Sequence, residues 1–165
     1  MTADSCTAQI QPIGPHPSVD TLLIGALLWA PIQITVPVLG LVDDDDLEHP
    51  AEATVLAAIR TLALAGTPTG PQLVFDELKR TGEAKALVLD HLRAALTSGA
   101  EHLAADAYAA AVVASRFRRL VANIGNAMTV LADVAPEADI VRVVTSGATQ
   151  ITETAERLTI LRGER

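Results

Sequence analysis

The sequence predicts an all-α fold: a small globular helical bundle followed by a long C-terminal αα-hairpin. Apolar residues recur at helical spacing, in segments closed off by proline and glycine. Hydrophobic residues make up 50% of the chain and aromatics only 2%, so Leu, Ile, Val and Ala on closely packed helices must build the core. After Glu101, more than thirty residues pass before the next proline, Pro136. That run is well beyond the usual helix of ~11–12 residues. At 165 residues the chain is one domain, or one domain with an appendage. It divides into a flexible tail over 1–17, a globular helical body over 18–99 and a helical hairpin over 100–162.

Residues 1–17 hold three prolines and one glycine without apolar periodicity, and read as the tail. Cys6 lies there. As the single cysteine it allows no disulfide within the chain, which fits a reducing, cytoplasmic setting. Ser18 can cap a helix running to about Trp29, with Asp20 in its first turn and Pro31 ending it. The string "IQITVPVLGLV" stays open between an extended segment and a short broken helix, because Pro37 resists helix. "DDDDLEHP" reads as a polar turn. Pro50 suits a first helical position, and Val55, Ile59 and Leu62 follow at helical spacing before Gly66. Leu73, Val74 and Leu78 mark a short helix closed by Gly82. Leu87, Leu89, Leu92 and Leu96 mark another, closed by Gly99. The long segment after Glu101 then turns at "DVAPE" into a last helix with Ile140, Val144, Ile151, Ala155 and Leu158 along one stripe. Gly125, Gly147 and many alanines would let helices approach closely. Trp29 and Phe75 read as core, and Tyr108 as core or seam.

Leu22–Val42 carries twenty-one uncharged residues, enough for a bilayer span by length alone. Pro31, Pro37, Gln33 and Thr35 fall inside it, and only aspartates flank it, without a Lys or Arg anchor. The amino terminus also lacks the positive region of a signal peptide. We therefore expect two core elements broken at Pro31, and no membrane.

The formal charge is −8, and it is unevenly spread. Residues 1–66 hold one basic residue, Arg60, against eight acidic ones, whereas 67–165 hold eleven basic and twelve acidic. An acidic first half repels phosphate, which argues against direct nucleic-acid binding and for a protein partner. Asp43–Asp46, Glu48 and His49 supply donor atoms, but consecutive aspartates without glycine do not make a calcium loop. His16, His49, His91 and His102 show no i, i+3 or i, i+4 pairing of the kind zinc uses, and His91 beside Asp90 reads as helix surface. No serine sits in a G-x-S-x-G context, and no G-x-x-x-x-G-K-[ST] string occurs. We expect no catalytic residue, cofactor, metal or small-molecule substrate. Arg116, Arg118 and Arg119 read either as a solvated helix face or as a contact to a partner.

In the order of its elements the chain resembles the amino-terminal domain of DnaB-type replicative helicases. The resemblance spans about residues 15–160. It is carried by Pro15-His16, Ile24-Gly25-Ala26-Leu27, Asp46-Leu47, Gly66-Thr67-Pro68, "LVFDELKRTGE", Ala107-Tyr108-Ala109 and "SRFRRLVANIGNAM". The chain departs from the family at Leu47, at Glu48-His49-Pro50 and in lacking a Gly-Gly before the fifth helix. These departures bear on the family's partner surfaces more than on its fold.

The resemblance implies a non-catalytic module of DNA replication that pairs through its hairpin and binds a replicative helicase or primase. The family's domain also helps organise a ring of three pairs. This chain would keep the adaptor and lack the motor. The expected self-association seam comprises Tyr108, Val112, Leu120, Ile124, Ile140, Val144, Ile151 and Leu158, giving a homodimer or higher oligomer. Alternatives are a helicase subunit or remnant whose motor lies on another chain, and a small regulatory DNA-associated protein.

Overall fold

The computed structural model describes residues 16–163, so the expectations for Cys6, Pro15 and the tail over 1–15 lie outside them. The described residues form seven α-helices and no strand. They are α1 Val19–Trp29, α2 Ile32–Leu39, α3 Pro50–Leu64, α4 Pro71–Arg80, α5 Ala86–Leu96, α6 Ala105–Val134 and α7 Glu137–Leu161. Single 3-10 turns occur at Asp44–Asp46 and His102–Ala104.

Helix α1 begins as its cap predicts, with the Thr21 amide donating to Ser18 Oγ at 3.0 Å. It is apolar nearly all round and accordingly buried nearly all round, the pattern of a central helix. Leu23, Ile24, Ala26 and Leu27 have no exposure, and α3, α5 and α6 pack about them. Gly25 is where α5 comes closest: a Cβ there would lie 2.6 Å from the Ala95 carbonyl oxygen. Trp29 departs from the expected core placement and is 59% exposed. The burial of α1 ends at Leu28, and the chain bends at Ala30 before Pro31.

Residues 32–39 resolve the open alternative as a short helix that contains Pro37. An interior proline costs about 3 kcal/mol in a helix. Here Val38, Leu39 and Val42 are buried, and Arg60 on α3 donates to the Leu39 and Val42 carbonyl oxygens at 2.6 and 2.8 Å. A cation over the carboxyl end of α2 also suits its dipole. The partner that rescues this helix thus lies some twenty residues further along the chain. No helix of the described residues is long and apolar enough to cross a membrane.

Helix α3 starts at Pro50 and buries Ala51, Val55, Leu56, Ala58, Ile59 and Ala63. Gly66, at φ +71°, ends it in the left-handed region that favours glycine. Helix α5 is rotated from the expected stripe. Val88, Leu92 and Ala95 face the core, and Leu87 and Leu96 are 64% and 37% exposed. Phe75 and Tyr108 pack partly buried against the core, as read.

Helix α6 belongs to both body and arm. Its first turns bury Ala105, Ala109, Val112 and Val113 in the body core, and past Leu120 it has no buried residue. Helix α7 returns along it, burying only Gly147 and Thr154. Gly147 is a close approach, since a Cβ there would lie 3.0 Å from Ile124 Cδ1. Gly125 is not, because a Cβ there meets nothing within 4 Å.

The packing at Gly25 yields a test. Gly25→Ala should lower stability by about 1–3 kcal/mol, the usual cost of overpacking a filled core. Urea unfolding should show a lower midpoint at an unchanged slope.

Candidate functional site

The base of the hairpin is built around the aspartate turn. Asp43 caps the turn reciprocally with Asp46, the Asp43 amide donating to Asp46 Oδ2 at 2.8 Å. Asp46 is only 1% exposed, so the run is not wholly the solvated turn expected. Arg157 of α7 donates to both of its carboxylate oxygens, Nη1 to Oδ2 at 2.6 Å and Nη2 to Oδ1 at 3.0 Å. Such a two-pronged, charge-assisted pairing is among the stronger polar contacts a protein makes. Hydrogen bonding to Asp46 holds the Arg157 guanidinium above its usual pKa, against the opposing effect of its burial. Arg157 also reaches Asp43 at 2.9 Å. Arg119 of α6 donates to the Asp46 carbonyl oxygen, and Arg60 pairs with Asp44 at 3.0 Å.

Beside this clasp lies an open cleft of about 710 Å³. Its lining holds the carboxylates of Asp43–Asp46, Glu153 and Glu156 with the guanidiniums of Arg116 and Arg157, and so is acidic. Among the described residues, no three His, Cys, Asp or Glu side chains are arranged to hold a metal ion.

A second polar cluster escaped the sequence reading. Glu52 is 2% exposed; its Oε1 accepts from Thr21 Oγ1 at 2.7 Å and lies 3.3 Å from His91 Nδ1. Its Oε2 has no hydrogen-bonding partner. His91 is therefore not plain helix surface: it joins α5 to α3 and stacks near His49, ring centroids 5.2 Å apart. Asp20, also buried, accepts from the Glu48 amide at 2.8 Å. Burial raises the Asp20 pKa, with the Glu48 hydrogen bond opposing it and the Glu52 charge adding to the rise. The available signal was phase. Glu52 shares the stripe of Leu56 and Ile59, and His91 that of Val88 and Ala95, so each is a polar residue on an apolar face.

The expected seam residues divide. Val112 is fully buried in the body core and Leu120 is 6% exposed, so neither offers a surface to a second copy. Tyr108 and Leu158 pack against the body core. Ile124, Ile140 and Ile151 are half-buried, on the stripes where α6 and α7 meet at Gly147. Only Val144 of the set is exposed, at 40%. The large apolar side chains that the arm exposes are instead Val121, Val130, Val134, Val141, Val144 and Ile160. The three arginines divide too. Arg119 is committed to Asp46, Arg116 faces the acidic cleft, and Arg118 lies in a different hollow.

A helical body continued into a long antiparallel hairpin is an architecture that solved structures contain. The chain has the fold of the N-terminal domain of DnaB helicase from Mycobacterium tuberculosis. The two align with a TM-score of 0.67 and 23% sequence identity over 85% of this chain and 99% of that one. No family model matches the sequence, and neither does any curated protein.

Two outcomes follow from the clasp and the cluster. Arg157→Ala leaves the Asp46 carboxylate buried without its cation, and should cost about 3 kcal/mol in urea unfolding, near the lower end for a broken buried pair. Asp20 has a raised pKa in the folded state, so its contribution to stability is full below the ordinary carboxyl range and is lost as pH rises through the folded value. Asp20→Asn should therefore raise the melting temperature relative to the parent at pH 7. The difference should shrink as the pH is lowered to about 4.

Proposed function

We propose that the chain is a non-catalytic interaction and oligomerisation module of the kind that opens DnaB-type helicases. It acts in DNA replication, pairing through the hairpin into a homodimer or higher assembly and presenting its body to a replicative helicase or primase. The observation that carries the reading is the apolar surface of the arm. Val130, Val134 and Val141 are 64%, 78% and 63% exposed around the α6–α7 turn, and Val144, 40% exposed, follows Val141 one turn along α7. Isolated exposed apolar residues are ordinary, but several on one projecting arm point to an interaction surface. The correspondence with nearly the whole of the helicase domain supports the same reading. The acidic cleft disfavours direct contact with a nucleic-acid backbone.

Substituting Val141→Asp and Val144→Asp together should weaken self-association about a hundredfold or more, because each buries an unpaired charge in the pair. Helical content should be unchanged, since both positions face water in the single chain. Sedimentation velocity over a concentration series reads this directly. A parent chain that stays monomeric at high micromolar concentration rejects pairing, and an unaltered double variant moves the seam off these valines. Co-sedimentation with purified helicase and with purified primase tests the partner.

A further inference from the structure

Most of the chain's arginines are spoken for. Arg60, Arg80, Arg93, Arg119, Arg142 and Arg157 each hold a carboxylate or a carbonyl oxygen of this chain. Arg118 and Arg162 have no such partner among the described residues, and they line the same hollow, of about 480 Å³. Val19, Ala110, Ala111, Ala114 and Ser115 complete it, so among the described residues the lining holds two guanidiniums and no carboxylate. In a chain of net charge −8 this segregation is local and pronounced. Val19 is also the first residue of the 11-residue helix α1, whose positive end therefore borders the hollow. Its floor is alanine on one face of α6, so a second helix can lie close to that helix axis.

We infer that this hollow, between the start of α1, the body half of α6 and the end of α7, is a docking groove for a carboxylate-bearing helix of another protein. The inference rests on the reading of the chain as an interaction module, but not on its pairing. Charge complementarity selects the occupant. Two guanidiniums reaching the hollow from different helices, Arg118 from α6 and Arg162 from the end of α7, suit a partner segment with more than one carboxylate, each able to accept two parallel hydrogen bonds, and the alanine floor suits one that is helical. A nucleic acid fits less well, because two cations neutralise few phosphates and the rest of the chain repels a polyanion. The small floor residues supply contact rather than recognition, so specificity falls to Arg118 and Arg162.

The test uses a fluorescent alanine-based helical peptide with glutamates on one face, a lysine-bearing counterpart and a single-stranded oligonucleotide. Each is titrated with the full chain at low salt and followed by anisotropy. The glutamate peptide should bind, and weaken as salt is raised. R118E/R162E should reduce that binding about tenfold or more, whereas R93E/R142E, with the same change in net charge, should leave it near the parent value. The lysine peptide should gain nothing from the parent groove. Equal losses in the two variants, no binding of the glutamate peptide at millimolar concentration, or tighter binding of the oligonucleotide would each overturn the proposal. Repeating the titration on the Val141→Asp/Val144→Asp chain separates the two ideas, since the groove should bind equally well whether or not the arm pairs.

Discussion

Asp46 is the residue on which both helices of the arm converge. Arg157 of α7 grips its carboxylate and Arg119 of α6 its carbonyl oxygen, although the two arginines lie 111 and 73 positions away in sequence. The capping turn at Asp43 in its turn fixes Asp46. A carboxylate at 1% exposure is tolerated only when paired, and once paired it cannot leave without stranding a charge. The angle at which the hairpin leaves the body is therefore fixed jointly, by the apolar packing of the first turns of α6 and by polar contacts of defined geometry at Asp46.

The uneven distribution of charge along the sequence acquires a structural meaning from this arrangement. The first half brings the carboxylates of the aspartate turn, and the second half brings Arg119 and Arg157, with Arg60 joining from α3. Folding matches the excess of one segment against cations of the other. The match is incomplete on both sides. Glu153 and Glu156 join the aspartates in a cleft that stays acidic, and Arg118 and Arg162 line a separate hollow without a carboxylate among the described residues. Two surfaces of opposite sign at the root of one arm can discriminate between partners more sharply than a neutral surface of the same shape.

Much of the architecture was legible because it rests on local signals. Ser18, Pro50, Gly66, Gly82 and Gly99 mark helix ends through capping and backbone conformation, and the ends fall where those residues place them. What escaped depends on contacts distant in sequence. Pro37 argued against helix in any local reading, and the helix's support, Arg60 reaching back to the Leu39 and Val42 carbonyls and the burial of Val38 and Leu39, comes from elsewhere in the chain. The aspartate run looked solvated because nothing nearby announces Arg157. Trp29 looked like core on composition, but as the last residue of α1 it turns outward between the buried Leu28 and Ala30. The seam residues on α7 were found by their period, and period alone does not say whether a stripe faces the neighbouring helix or a second molecule. Ile140 and Ile151 turned out to serve the first purpose. Glu52, His91 and Asp20 show the converse: a polar residue in phase with an apolar stripe is a legible sign of a buried network, if it is sought.

Helix α6 is 30 residues long, about 45 Å at the usual rise per residue, and only its first half is held by the body. Beyond Leu120 the two helices have only each other, and no aromatic ring supports their contact. Helical stability in proteins comes mostly from packing of an apolar face, so a two-helix arm with valines left in water is incompletely stabilised as a single chain. Because α6 is continuous with the core, a surface that covered those valines would be coupled through it to α1 and the body. An arm of this kind gains from a second apolar surface and transmits the orientation of that surface to the domain behind it. That is the physical case for reading it as a pairing element rather than as a spacer.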